Sequence, residues 1–189
     1  ERLTEGLEAL YDHGARSFYL RGEPGSGRKL QAGALCRRKR LPILFVDSRK
    51  LPLEEEALKR TLRRIMREAL LQGGAALCIC DLEEDTGEEK VDLGRTEQIL
   101  EGLRTWKGVL IFTGTAEWNR RIRSGRVIRK VTVPESTTEE RILLWKHFLG
   151  KELWPEGLNL EYLADKYRLA PGQIRESVQE YEDRLLMEG

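Results

Sequence analysis

The sequence predicts a three-layer α/β fold, a parallel five-stranded sheet with helices on both faces, followed by a small all-helical unit. Three observations predict it. Five short apolar runs alternate with longer charged segments of helical period. The runs are almost continuously apolar rather than alternating, which is how strands buried on both faces of a parallel sheet read. The strand pattern also stops at Pro134, and only helical segments follow it.

The strands are Ser17 to Leu20, Ile43 to Asp47, Ala75 to Asp81, Val109 to Thr113 and a short Val131 to Val133. Lys29 to Arg40 suits a helix after the first strand. Glu54 to Gln72 places Leu58, Leu62, Ile65, Met66, Ala69 and Leu70 on one stripe with Lys and Arg opposite, and Gly73-Gly74 stops it. Leu93 to Trp106 is a further candidate; its start is open to Val91 or Asp92, and Gly94 and Gly102 weaken it. Beyond Pro134, Thr137 and Glu140 form a capping box that opens a helix carrying Ile142, Leu143, Trp145 and Leu149 and ending near Gly150. Helices from Leu160 to Tyr167 and from Pro171 to Met187 complete the chain, Pro171 being a good first-turn residue. The expected division is therefore an α/β domain over 1–134 and a helical domain over 135–189.

Composition narrows the function classes. Of 189 residues, 40% are hydrophobic and 34% charged, the balance of a soluble globular chain. A net charge of +1 points to no strongly basic or acidic partner. No apolar run approaches the roughly 20 residues of a membrane span and no signal peptide is present, so the expectation is a cytoplasmic protein without membrane attachment. The first residue is Glu1 rather than Met, as in an excised domain. Cys36, Cys78 and Cys80 lack the spacing of a disulfide framework or a zinc site and read as buried reduced thiols. His13 and His147 sit beside no nucleophile pattern, and the acidic run Glu83 to Glu89 reads as a solvated loop.

The chemistry-bearing segment is Gly22-Glu23-Pro24-Gly25-Ser26-Gly27-Arg28-Lys29, between the first strand and its helix. This is the place and the glycine frame of a P-loop, whose backbone N–H groups turn inward around phosphate at a helix N-terminus. The candidate nucleotide-binding positions are Gly22, Glu23, Pro24, Gly25, Ser26, Gly27, Arg28, Lys29 and Leu30. Two slots deviate. Arg28 stands where the pattern has Lys, and Lys29, with no hydroxyl for Mg²⁺, stands where it has Ser or Thr. A slipped reading makes Lys29 the phosphate lysine of a loop one residue longer, and the bland reading is a glycine-rich turn.

Asp81 ends the third strand, where P-loop ATPases place a metal-binding Asp, and is the candidate for both metal and catalytic duty. The next residue, where many such enzymes carry a catalytic Glu, is Leu82; Glu83 and Glu84 follow it. Loss of a general base costs a factor of about 10²–10⁴ in rate, or roughly 3–5 kcal/mol of barrier. Binding through backbone amides survives such changes better than hydrolysis does.

Over nearly all of its length the chain resembles the AAA+ ATPase family, with P-loop, Asp81 strand end, fourth strand and helical lobe in the family's order. The segment Ser124-Gly125-Arg126-Val127-Ile128-Arg129 with the short strand and Pro134 after it is similar to the family's arginine-finger segment. The resemblance implies that Arg126 and Arg129 reach the phosphate of a neighbouring subunit. Val127 and Ile128 depart from the family's aromatic residue and Asp. It also implies a polar sensor at Thr115, or at Thr113, to hold the attacking water. Ala170-Pro171-Gly172-Gln173-Ile174-Arg175 looks like the lid's sensor region, with Gly172 and Arg175 on the nucleotide side. The resulting expectation is a P-loop NTPase fold with a helical lid and altered catalytic slots. Such a degenerate AAA+ module binds ATP or ADP weakly or not at all, uses Mg²⁺ weakly or not at all, and hydrolyses little or nothing. It serves as a regulatory or scaffolding part beside protein partners, a further ATPase domain or copies of itself.

Three other readings stand beside this one. An active ATPase would use Lys29 with Glu83 or Glu84. A purely structural partner would never meet nucleotide. A nucleic-acid-binding module would use Arg37-Arg38-Lys39-Arg40 and the run Arg120, Arg121, Arg123, Arg126, Arg129 and Lys130. The near-neutral charge ranks nucleic acid last.

Overall fold

A computed structural model describes residues 2–82, 92–118, 126–150 and 157–188. The order of elements is α1 (Arg2–Asp12), β1 (Ser17–Arg21), α2 (Arg28–Arg38), β2 (Ile43–Asp47), α3 (Glu55–Leu71), β3 (Ala76–Cys80), α4 (Asp92–Gly102), β4 (Leu110–Gly114), β5 (Arg129–Thr132), α5 (Thr138–Leu149), α6 (Leu160–Lys166) and α7 (Pro171–Glu188). Contacts divide the chain into two compact units. One comprises Glu1–Gly22 with Arg28–Val133, and the other Glu23–Gly27 with Pro134–Gly189.

The first unit is α/β. Its five strands form one sheet in the order β2-β3-β4-β1-β5, and every pairing is parallel. Strand alternation explains why the runs are apolar throughout. Leu77 and Ile79 of β3 enter one core beneath α3 and α4, with Leu58, Leu62, Leu103 and Phe112. Ala76, Cys78 and Cys80 of the same strand enter the other, with Leu7, Leu35 and Ile111. Each large side chain buried this way contributes about 1.5–3 kcal/mol, so both faces of β3 and β4 must be apolar.

α3 begins where the Glu54 carboxylate accepts from the backbone N–H groups of Glu56 and Ala57. It stops before Gly73 and Gly74, both of which adopt positive φ. Two differences from the sequence expectation have simple causes. α1 precedes β1 where no helix was expected; it buries Leu7 in the second core and packs Leu3, Leu10 and Tyr11 against it, an apolar stripe too short to stand out beside the longer helices. β5 starts at Arg129, two residues before its apolar stretch, because it is an edge strand paired only with β1, where exposed charged side chains carry no burial cost.

The second unit is helical. Trp145 and Leu149 of α5, Leu160 and Ala164 of α6, and Ile174 and Val178 of α7 make its core. Thr137 and Glu140 form the reciprocal capping box at the start of α5. Arg141 is buried there and donates to the carbonyls of Ala164 and Ser136 and to the Thr138 hydroxyl. Among the described residues no helix is long and apolar enough to cross a membrane.

Candidate functional site

The C-terminal ends of parallel strands are where open α/β sheets gather polar groups. Here they gather them around Asp81, immediately after β3. Asp81 has a left-handed backbone, φ +56°. Three sets of contacts hold it. Its N–H donates to Thr113 Oγ1 at 3.0 Å. Its carbonyl accepts from Ser48 Oγ at 2.7 Å. Its carboxylate meets Arg28 Nη2 at 3.3 Å, Lys29 Nζ at 3.0 Å and Arg49 Nη2 at 3.8 Å. Arg28 is buried and Lys29 half exposed, so the Arg28 pair is the one that water screens least. The hydrogen bond to Asp81 raises the Lys29 pKa above its ordinary value against the opposing effect of burial.

The 3₁₀ turn Ser48–Lys50 that follows β2 supplies the second layer. Asp47 caps it by accepting from Arg49 N, and its carboxylate also pairs with the Arg49 guanidinium. These contacts pull the Asp47 pKa down to about 2, the Arg49 side-chain bond being the main cause. Arg95 of α4 donates to the carbonyls of Ser48, Leu51 and Pro52 and fixes the turn from the other side. Ser48, Arg49 and Arg95 were not singled out in the sequence. Their one signal is that Asp47-Ser48-Arg49 leaves a strand adjacent to the one ending in Asp81.

The other candidate positions are placed as follows. Thr113 is fully buried and joins the cluster, whereas Thr115 is exposed and its carbonyl accepts from Arg21 Nε. Leu82 is buried and Leu30 is exposed. Gly22 N donates to the Gly114 carbonyl, tying the end of β1 to β4. Arg126 is bonded within the chain, to Ser17 Oγ at 3.2 Å and to the Trp106 carbonyl. Ser17 begins β1, so Arg126 lies at the opposite end of the parallel sheet from Asp81; burial lowers its pKa. Arg129, the exposed first residue of β5, stands opposite Phe18 in register at that same end. Glu83 and Glu84, Arg120, Arg121 and Arg123, and Ser124 and Gly125 lie outside the described residues.

The segment Glu23–Gly27 packs within the helical unit. Gly25 and Gly27 adopt φ of +81° and +92°, which glycine alone takes without cost. The Gly25 carbonyl accepts from Gly172 N at 3.2 Å, and a Cβ on Gly25 would lie 3.0 Å from that of Ala170. Ser26 N donates to the Glu23 carbonyl at 3.0 Å, so this amide closes a turn rather than facing an anion. Ser26 Oγ is buried without a partner among the described residues. Gln173 Oε1 accepts from Ala170 N at the head of α7, and Arg175 is exposed on that helix.

A divalent cation does not fit at Asp81. Mg²⁺ requires oxygen ligands, and both oxygens of this carboxylate are already held by cationic side chains. Lys29 brings an ammonium to the slot from which a hydroxyl would coordinate. Among the described residues no group of three or more His, Cys, Asp or Glu could hold a metal ion.

Among the described residues no thiol hydrogen-bonds to the side chains of the cluster. Cys36, Cys78 and Cys80 are free and buried, and burial pushes the Cys36 thiol up to about 11. A water-soluble aromatic disulfide reagent at neutral pH is therefore expected to leave all three unmodified in the folded protein and to titrate all three in denaturant. Rapid release of the chromophore without denaturant would contradict this burial.

A scan against models of protein families finds no match to this chain, and a search of curated proteins finds none either.

Proposed function

We propose that the chain is a degenerate nucleotide-loop module of the AAA+ type, with little or no ATP hydrolysis and with ATP or ADP bound weakly or not at all, acting as a regulatory or scaffolding part of a larger ATPase. One observation carries the reading: the Asp81 carboxylate is neutralised by Arg28 and Lys29 of its own chain. A P-loop enzyme needs that carboxylate for the metal and the first turn of α2 for phosphate. Here the two groups satisfy each other. The all-parallel five-stranded sheet and the glycine frame are compatible with this reading. Leu82, buried beside Asp81, offers no base for water. Arg28 Nη1 is buried without a partner among the described residues, a donor near the start of α2 that suits an anion arriving without a metal.

Titration calorimetry with ATP and ADP tests the proposal. The expected result is no heat, or binding no tighter than about millimolar, with no gain when Mg²⁺ is added. ATP turnover that requires Mg²⁺ and vanishes on Asp81→Asn would overturn it in favour of an active ATPase.

A further inference from the structure

We infer that the outer edge of β2 is a docking site for an extended segment of a partner protein, apolar in its middle and acidic at its ends, which adds to the sheet as a further strand. The residues of β2 are those of a central strand. Ile43, Leu44, Phe45 and Val46 are apolar on both faces, as in a strand buried between helices. Yet β2 ends the sheet, and among the described residues no strand lies beyond it. None of the four side chains is fully buried, and Phe45 is 49% exposed. The backbone is directed the same way. Ala76 N donates to the Pro42 carbonyl at 2.8 Å. Peptide groups alternate from side to side along a strand, so Leu44 and Val46 turn theirs to β3, and Ile43 and Phe45 turn theirs outward. Beside them α2 presents Leu30, Gly33 and Arg37, three and four residues apart and therefore on one stripe. Leu30 is 64% exposed, and a Cβ on Gly33 would lie 3.9 Å from Phe45 Cζ. With no side chain at Gly33, an apolar notch is left between Leu30 and Phe45 for a side chain of the added strand.

Charge selects the occupant. From Gly27 to Leu53 the chain carries one carboxylate, Asp47, among its cations. Arg28, Lys29 and Arg49 are held by Asp81 or Asp47, and Arg38 and Lys39 by Glu8 and Asp12. Arg37, Arg40 and Lys50 remain exposed, and among the described residues none of them forms an ion pair. Arg40 lies just before the strand and Lys50 just after it, so a segment along β2 meets a cation at each end. A second copy of β2 is a poor occupant, because in either direction it would set Arg40 and Lys50 against cations of its own. A nucleic-acid backbone would answer the cations but leave the apolar strand and its outward peptide groups without a use. An extended segment with alternate apolar side chains and acidic ends answers all three. The inference stands whether or not nucleotide binds.

Fluorescence anisotropy tests it, with the labelled and end-blocked peptide Glu-Glu-Val-Thr-Val-Thr-Val-Glu-Glu titrated by the whole chain. This peptide is expected to bind, and its counterpart with Lys in place of Glu to bind at least about tenfold more weakly. Methylating the backbone nitrogens of the Val residues, or separately of the Thr residues, should abolish binding for one set alone, since only one set faces β2. Amide exchange should slow at Ile43 and Phe45 when the peptide is added, whereas Leu44 and Val46 are protected already. Phe45→Thr, which keeps a strand-forming residue, should weaken binding about tenfold. Arg40→Glu with Lys50→Glu should turn the preference toward the Lys peptide. No binding of the acidic peptide at millimolar concentration overturns the inference. So does binding indifferent to both methylated sets, or a wild-type dimer that Phe45→Thr dissociates.

Discussion

Replacing Asp81 with Ala is expected to destabilise the α/β unit by about 2–3 kcal/mol, read as a lower urea midpoint at unchanged slope. The cause is the charge left behind. Arg28 is buried to 8% exposure and has one donor, Nη1, without a partner among the described residues, so without Asp81 its guanidinium is buried with no counter-ion among them. Lys29 and Arg49 are more than half exposed and turn to water at little cost, so they add little to the loss. Asp81→Asn should cost less than Ala, because the amide oxygen still accepts one bond. Adding Arg28→Met to Asp81→Ala should recover most of the loss, since removing both partners leaves neither charge buried alone. If the double variant is as unstable as Asp81→Ala alone, the Arg28 pair is not the source of the effect, and the pinned backbone of Asp81 is.

Gly114→Ala is expected to cost a similar amount, about 2–3 kcal/mol, for a steric reason. Gly114 ends β4 between β1 and β3, and a Cβ there would lie 2.8 Å from the Leu82 carbonyl and closer still to the Tyr19 hydroxyl. Neither neighbour moves freely. Leu82 N is bonded to the Thr113 carbonyl, and the Tyr19 hydroxyl donates to the Ala116 carbonyl at 2.7 Å while its ring packs 4.8 Å from that of Trp118. Tyr19→Phe should be mildly destabilising alone but relieve part of the Gly114→Ala cost, leaving the Leu82 contact. Thermal melts of the four proteins of this cycle measure the coupling; strict additivity would show that the Tyr19 hydroxyl is not the obstacle.

These two sites mark how far the sequence was legible. The strands β1 to β4 were readable because a central parallel strand must be apolar on both faces, and runs such as Leu77-Cys78-Ile79-Cys80 have few other uses. The capping box at Thr137 and Glu140 was readable because both partners lie within one helical turn. Residues whose meaning depends on distant neighbours were not. Arg28 and Lys29 read as phosphate contacts because their spacing from Gly22 is local. Their partner Asp81 is more than 50 positions away, and one-dimensional spacing does not tell whether a cation faces a phosphate or a carboxylate. Thr113 and Thr115, two positions apart, share one face in any strand, so alternation does not choose between them; which one meets Asp81 follows from where β4 ends and from its pairing with β3. Ser48 and Arg95 act through backbone carbonyls, which leave no trace in residue type.

The start of β5 at Arg129 has a consequence for the sheet as a whole. An edge strand exposes a row of unpaired backbone groups to any extended chain that drifts by. On β5 that row is flanked by Arg129 and Lys130, both exposed, and a second β5 approaching it would bring like charges together. The opposite edge, β2, is guarded differently: Pro42 before it lacks an N–H, Asp47 with its bound Arg49 ends it, and Phe45 at 49% exposure lies between them. Under partial unfolding β2 is therefore the edge that invites strand addition, and β5 the one that repels it. Arg129 keeps this protective use in a lone molecule, with no neighbouring subunit for it to reach.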